Sequence, residues 1–244
     1  KNAFNRDAWF ALRDAIVEAR DNDSASVVVI TGAGKDFSSG VDLSDLNGDP
    51  NEKPPFEVMM DELMLLDKPL LAAAKGVAIG FGATALFHCD VVYVGESLRM
   101  RLPFVNLGLV PEAGCSYTLP RNIGYQQAAE LLFTAEWINA ERAVETGIAR
   151  RAFSDDELLP KTLEKAAEMA QWPRNALRET TVRSSRLRGD ERINLENQAW
   201  KVSMATVRPV ASTRLCRLAS AGAYCCASAA DMPKARRRAR MSRW

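Results

Sequence analysis

The sequence predicts an α/β fold whose parallel strands are joined by helical crossovers. Three observations point there. Residues 27–30 read Val-Val-Val-Ile, an unbroken β-branched run without polar alternation, as expected of a parallel strand covered on both faces. Residues 70–87 are almost entirely apolar, but Lys75 and the glycines at 76, 80 and 82 divide them into a buried strand and a buried helix, not a membrane span. Helical and strand patterns then alternate along the first two thirds of the chain, which is the signature of crossover connections.

Taken in order, residues 5–20 carry Trp9, Leu12, Ile16 and Ala19 at helical spacing, and Asp21-Asn22-Asp23-Ser24 ends that helix before the first strand. Thr31-Gly32-Ala33-Gly34 lacks both glycine-rich phosphate-loop patterns and is read as a turn. Residues 47–55 are polar and contain Gly48, Pro50, Pro54 and Pro55, so a surface loop is expected. A helix over 56–66, a strand over 70–74, a helix over 82–88 and a strand over 90–94 follow. Helices are expected over 125–134 and 140–146, with Gly147 as the C-cap. Ser154-Asp155-Asp156-Glu157 resembles a helix start, and helices are expected to continue to about residue 204.

Composition excludes several functions. His88 is the one histidine among 244 residues, which rules out a His-rich metal site. A Ser-His-Asp triad would need His88, and the chain has no nucleophile-elbow sequence. The five cysteines show neither metal-ligand spacing nor a disulfide framework, so reduced thiols, no metal and a cytoplasmic location are expected. The chain shows no cleavable signal pattern. A net charge of +1 hides an acidic body and a basic tail, since the residues after Glu196 carry ten Lys/Arg against Asp231 alone. The Arg236-Arg237-Arg238 run would suit an anionic partner, but residues 201–244 offer only Tyr224 and Trp244 for base stacking, so nucleic acid is not the expected partner.

Three turns carry the chemistry: Phe37-Ser38-Ser39-Gly40-Val41-Asp42-Leu43, Gly76-Val77-Ala78-Ile79-Gly80-Phe81-Gly82, and Gly108 to Tyr117, which contains Pro111-Glu112-Ala113-Gly114. Glu112 lies among small and apolar residues, where a carboxylate is poorly solvated and suited to proton transfer.

Together with Val27 to Gly32, Lys68-Pro69, Cys89-Asp90, Pro103-Phe104 and Ala140 to Gly147, these turns resemble the crotonase family, also called the enoyl-CoA hydratase/isomerase family. The resemblance covers about residues 1–200. It implies a spiral of ββα repeats with a helical C-terminal region starting near residue 155, and a homotrimer or a dimer of trimers. It implies an enoyl-CoA thioester substrate, with coenzyme A as part of the substrate and no separate cofactor. The backbone N–H groups of Val41 and Phe81 would form the oxyanion hole. Ser39, Gly40, Asp42, Gly80, Gly82 and Phe104 would line the substrate and coenzyme A. Backbone donors do not depend on the side chain, so valine and phenylalanine are permitted there, while glycines keep the chain close to the ligand.

Hydratases of this family resemble one another in using two glutamates to hold water. Thr84 and Phe104 occupy the matching positions here. Pro111-Glu112 followed by Ser116-Tyr117-Thr118 instead resembles the isomerase branch, which implies a Δ3-Δ2-enoyl-CoA isomerase with Glu112 as the single acid/base. Phe104 and Leu107 would wall out water and raise the Glu112 pKa. A hydratase of the same family and a catalytically silent binding protein are the alternatives. Two departures from the family pattern stand out. Lys1-Asn2-Ala3 matches the segment just after the family's first strands, so a sheet edge is expected to be unpaired. Residues 201–244 form an atypical basic tail, read as frame-shifted, disordered or otherwise divergent.

Overall fold

The computed structural model describes residues 1–42 and 52–184, together with the backbone of a strand at Ala223–Ala227. Helix α1 (Arg6–Asp21) opens at Asn5, whose side chain accepts a hydrogen bond from the Ala8 amide, and it buries Trp9, Leu12, Ile16 and Ala19. Four strands follow in two kinds of pair. β2 (Leu70–Ala74) runs into β3 (Val77–Ile79), and β4 (Val91–Gly95) runs into β5 (Arg99–Arg101). The first member of each pair joins β1 (Ala25–Thr31) in one sheet, and the second joins another. After β3 the chain turns into α3 (Phe81–Thr84) and a 3-10 turn (Ala85–His88). After β5 it passes a 3-10 turn (Val105–Leu107) and the Glu112 loop into α4 (Cys115–Ile123). This strand-strand-helix repetition is the expected spiral.

The larger sheet has the order β7-β4-β2-β1-β8, where β7 is Arg151–Phe153 and β8 is Ala223–Ala227. β1, β2, β4 and β7 are parallel, with Val28 beside Leu70, Leu71 beside Val91 and Tyr93 beside Arg151. β2 is buried along its whole length, which explains why residues 70–74 show no polar alternation. The smaller sheet, β3-β5-β6, adds β6 (Ile138–Asn139) antiparallel to β5. Helix α2 (Pro55–Met64) packs with α1 on one face of the large sheet. There Phe4, Trp9, Phe56 and Phe81 form an aromatic cluster whose ring centroids lie 4.4 to 5.6 Å apart. Helix α7 (Asp155–Met169) covers the other face, burying Leu158 and Ala166 against Val27, Val29, Leu71, Ala73 and Tyr93. Helices α5 (Tyr125–Thr134) and α6 (Ala140–Glu145) close the far end, and α8 (Arg174–Ser184) follows α7.

Most expected elements stand within one or two residues of their predicted places. Gly147 takes φ 85° just beyond α6, as a C-cap requires. The expected helix over 82–88 divides into α3 and the 3-10 turn. One expectation is corrected: the edge of β1 is not unpaired. β8 lies against it antiparallel, pairing Val28 with Cys225 and Ile30 with Ala223. The expected loop at 47–51, the helices beyond residue 184 and the rest of the tail lie outside the described residues. No described helix is long and apolar enough to cross a membrane.

Candidate active site

The first turn is fixed by the residues that open the chain. Asn2 Nδ2 donates to the carbonyls of Ala33, Asp36 and Phe37 at 2.9, 2.8 and 3.1 Å. Ser38 Oγ donates to Asn2 O at 2.8 Å and accepts from the Gly40 amide at 3.0 Å. Phe4 N donates to Gly40 O, and Asp42 N donates to Phe4 O. This parallel bridge between Phe4 and Val41 uses the amides on either side of Val41 and directs the Val41 N–H the other way.

The second turn is built against the first. Ser38 N donates to Val77 O and Ile79 N donates to Ser38 O, which aligns β3 with the Ser38 segment. Gly80 takes φ 54°, a left-handed backbone that favours glycine, and its carbonyl accepts the amides of Ala83 and Thr84. Phe81 therefore starts α3 with its N–H among the first-turn donors that a helix leaves unpaired internally. Its ring, 1% exposed, is anchored in the aromatic cluster. Side chain and backbone thus have separate tasks at this position. The two turns meet at Gly40 (φ 82°), where a methyl group would lie 2.6 Å from Ile79 O and 3.4 Å from Phe81 N.

The third turn supplies the carboxylate. Gly108 takes φ 70° after the 3-10 turn, and Leu109 N returns to Phe104 O. Glu112 is 2% exposed, and its carbonyl accepts the Cys115 amide at 2.9 Å. The next two residues, Ala113 and Gly114, both take left-handed backbones, at φ 54° and 69°. This double twist ends at α4 and leaves Glu112 Oε1 3.9 Å from where a methyl group on Gly80 would stand. The Glu112 carboxylate is therefore beside the turn that presents Phe81 N–H.

Gly40, Val41, Gly80, Phe81, Gly82 and Glu112 are brought to one place, with Ser39 and Asp42 half-buried on the flanks of the first turn. Phe104 is buried at 4% exposure, its ring part of the main core and its carbonyl tying the 3-10 turn. Thr84 is fully buried. Leu107 corrects the expectation of a two-residue wall: it is 45% exposed, because the 3-10 turn points it outward.

Two residues escaped sequence reasoning. Asn2, with φ 51° and three carbonyl partners, holds the first turn together. His88 Nε2 donates to Ala113 O at 2.7 Å, inside the Glu112 turn. Burial pushes the His88 imidazole down to about 4, a shift the Ala113 hydrogen bond partly opposes, so it is neutral near pH 7. The clue available in sequence was a lone imidazole in an apolar run, which must find a partner. Cys89, next in the chain, is no nucleophile, since burial pushes its thiol well above the usual range. Among the described residues no group of three or more His, Cys, Asp or Glu could hold a metal ion.

Comparison with known proteins agrees with this geometry. Residues 1–206 match the family described as Enoyl-CoA hydratase/isomerase. The chain is 34% identical over 176 residues to 2,3-dehydroadipyl-CoA hydratase of Escherichia coli (strain K12), covering 70% of this chain and 68% of that protein. It is 30% identical over 181 residues to 1,2-epoxyphenylacetyl-CoA isomerase of the same organism, covering 70% and 69%. Among solved structures, OdaA of Pseudomonas aeruginosa superposes with a TM-score of 0.78 at 33% identity, covering 84% of this chain and 85% of that one. The fold is the crotonase fold, and the chain belongs to the enoyl-CoA hydratase/isomerase family, enzymes that act on enoyl-CoA thioesters.

Proposed function

We propose that this protein is a Δ3-Δ2-enoyl-CoA isomerase in which Glu112 is the single acid/base. The observation that carries the reading is the identity of three positions. Glu112 is a buried carboxylate beside the Gly80 turn, while Thr84 and Phe104, where a hydratase would need carboxylates, have none.

A 3-enoyl thioester oxygen would accept hydrogen bonds from the N–H groups of Val41 and Phe81. Glu112 removes a proton from C2. The electron pair moves into the carbonyl, giving a dienolate whose oxygen those two amides stabilise. The protonated Glu112 then delivers the same proton to C4, the carbonyl re-forms, and the double bond lies between C2 and C3. No water is consumed. A dry pocket suits this step, because water would quench the dienolate or exchange the proton.

Relatives named as hydratases support the alternative of water addition. Hydration needs a group to hold and deprotonate water in addition to the enolate site, and Thr84 and Phe104 cannot supply a second carboxylate. The experiment is an assay of 3-enoyl-CoA and 2-enoyl-CoA, scored by product, for the wild type and Glu112→Gln. Isomerase turnover that Glu112→Gln abolishes, with thioester binding retained, is expected. Full turnover in Glu112→Gln, or hydration of 2-enoyl-CoA as fast as isomerisation, would overturn the reading.

A further inference from the structure

We propose that His88 is a positioning residue for Glu112, a neutral donor whose Nε2–H clamps the Ala113 carbonyl and holds the left-handed turn that aims the Glu112 carboxylate at the Gly80 turn. This inference rests on Glu112 being the acid/base.

The geometry carries it in three steps. Ala113 takes φ 54°, a conformation that costs a non-glycine residue about 1–2 kcal/mol and persists only where surrounding contacts enforce it. Ala113 is fully buried, and its carbonyl accepts from His88 Nε2 at 2.7 Å. That carbonyl belongs to the peptide group joining Ala113 to Gly114, one residue beyond Glu112, so losing the clamp would let this left-handed pair relax and swing the carboxylate away from Gly80, whose Cβ position lies 3.9 Å from Oε1.

The other face of the imidazole explains why the clamp stays neutral. His88 Nδ1 is sealed from solvent and has no hydrogen-bond partner among the described residues. A carbonyl acceptor fixes the proton on Nε2, and a proton on Nδ1 would be buried without an acceptor. The ring can therefore donate to Ala113 across the neutral pH range without itself exchanging protons with a substrate. Thr118 Oγ1, on the adjoining helix α4, is likewise buried without a partner among the described residues, so the turn has no competing side-chain donor from that residue.

The test uses the full chain. His88→Met fills similar space without a donor, and His88→Gln returns an N–H at the position of Nε2. His88→Met is expected to lower kcat on 3-enoyl-CoA by about ten- to a hundredfold, the loss typical of a misaimed catalytic group, with KM within about threefold. His88→Gln should recover most of that loss, and adding His88→Met to Glu112→Gln should slow the enzyme no further. Unchanged kcat in a folded His88→Met variant, equal losses in the two single variants, or an additive loss in the double variant would overturn the proposal. Because His88 is the one histidine, 15N NMR of the wild-type imidazole offers an independent check. A protonated Nε2 and a bare Nδ1 from pH 5 to 8 are expected, and an Nδ1–H tautomer or a midpoint near the ordinary 6.5 would overturn the clamp. Full activity in Glu112→Gln would remove the acid/base reading instead, with the NMR result still deciding whether the clamp exists.

Discussion

Gly82 and Ser38 are in backbone contact: a methyl group on Gly82 would meet the Ser38 carbonyl oxygen at 2.4 Å. Gly82 lies one residue beyond Phe81, and Ser38 lies three before Val41, so this contact sets the separation of the two amide-bearing turns. Gly82→Ala must push them apart, since the obstructing atom is backbone and cannot rotate away. The expected result is a stability loss of about 1–3 kcal/mol and a fall in kcat at least as large as the change in KM. Urea unfolding and steady-state kinetics measure the two effects. A variant as stable and as active as wild type would show that the turns are not held at a fixed spacing.

Shortening the Glu112 side chain tests how closely the carboxylate must be placed. Glu112→Asp keeps the charge but retracts the carboxylate from the Gly80 turn, which Oε1 now approaches to 3.9 Å from the Cβ position. A misplacement of about 1 Å costs about a hundredfold in rate, so kcat for 3-enoyl-CoA should fall by about that factor while KM changes little. An aspartate variant with near wild-type kcat would place the reacting proton elsewhere.

Phe104 tests the exclusion of water. Phe104→Ala removes a buried ring from the main core and should destabilise the protein by about 3–5 kcal/mol. If the ring helps keep the dienolate dry, the cavity will also admit solvent. In D2O the wild type should carry most of the C2 proton to C4, whereas Phe104→Ala should give product labelled at C4 and recovered substrate labelled at C2. Equal label in both enzymes would mean that Phe104 does not guard the proton.

The regular elements were legible in sequence because their patterns are local. Trp9, Leu12, Ile16 and Ala19 define one face of α1, and residues 70–74 are apolar because β2 has no exposed face. Helix α4 was not legible: Pro120 lies inside it, and helix propensity argues against a proline that a buried face overrides. The three turns were legible as motifs, since glycine marks the left-handed backbones at Gly40 and Gly80. Their fastening was not. Asn2 reaches Phe37 across 35 positions and His88 reaches Ala113 across 25, and neither pairing leaves a periodic trace. Leu107 was misplaced for a related reason, because the direction a side chain takes on a 3-10 turn does not follow from the apolar character of residues 104–110.

The neutral imidazole of His88 also predicts a pH dependence of stability. In the unfolded chain it titrates near its ordinary 6.5, and in the folded protein burial lowers this to about 4. Between those values the unfolded state binds the extra proton, so acidification favours unfolding. The stability associated with neutral His88 is therefore fully present above about pH 6.5 and is lost progressively as pH falls towards 4, up to about 3 kcal/mol. The two proteins differ only at residue 88, so comparing wild type with His88→Gln isolates the histidine. Urea midpoints measured at pH 7, 6, 5 and 4 should converge on or cross those of the glutamine variant as the wild type weakens. Parallel curves across that range would mean that His88 accepts a proton as readily folded as unfolded, and the sealed Nδ1 face would have to be open to water.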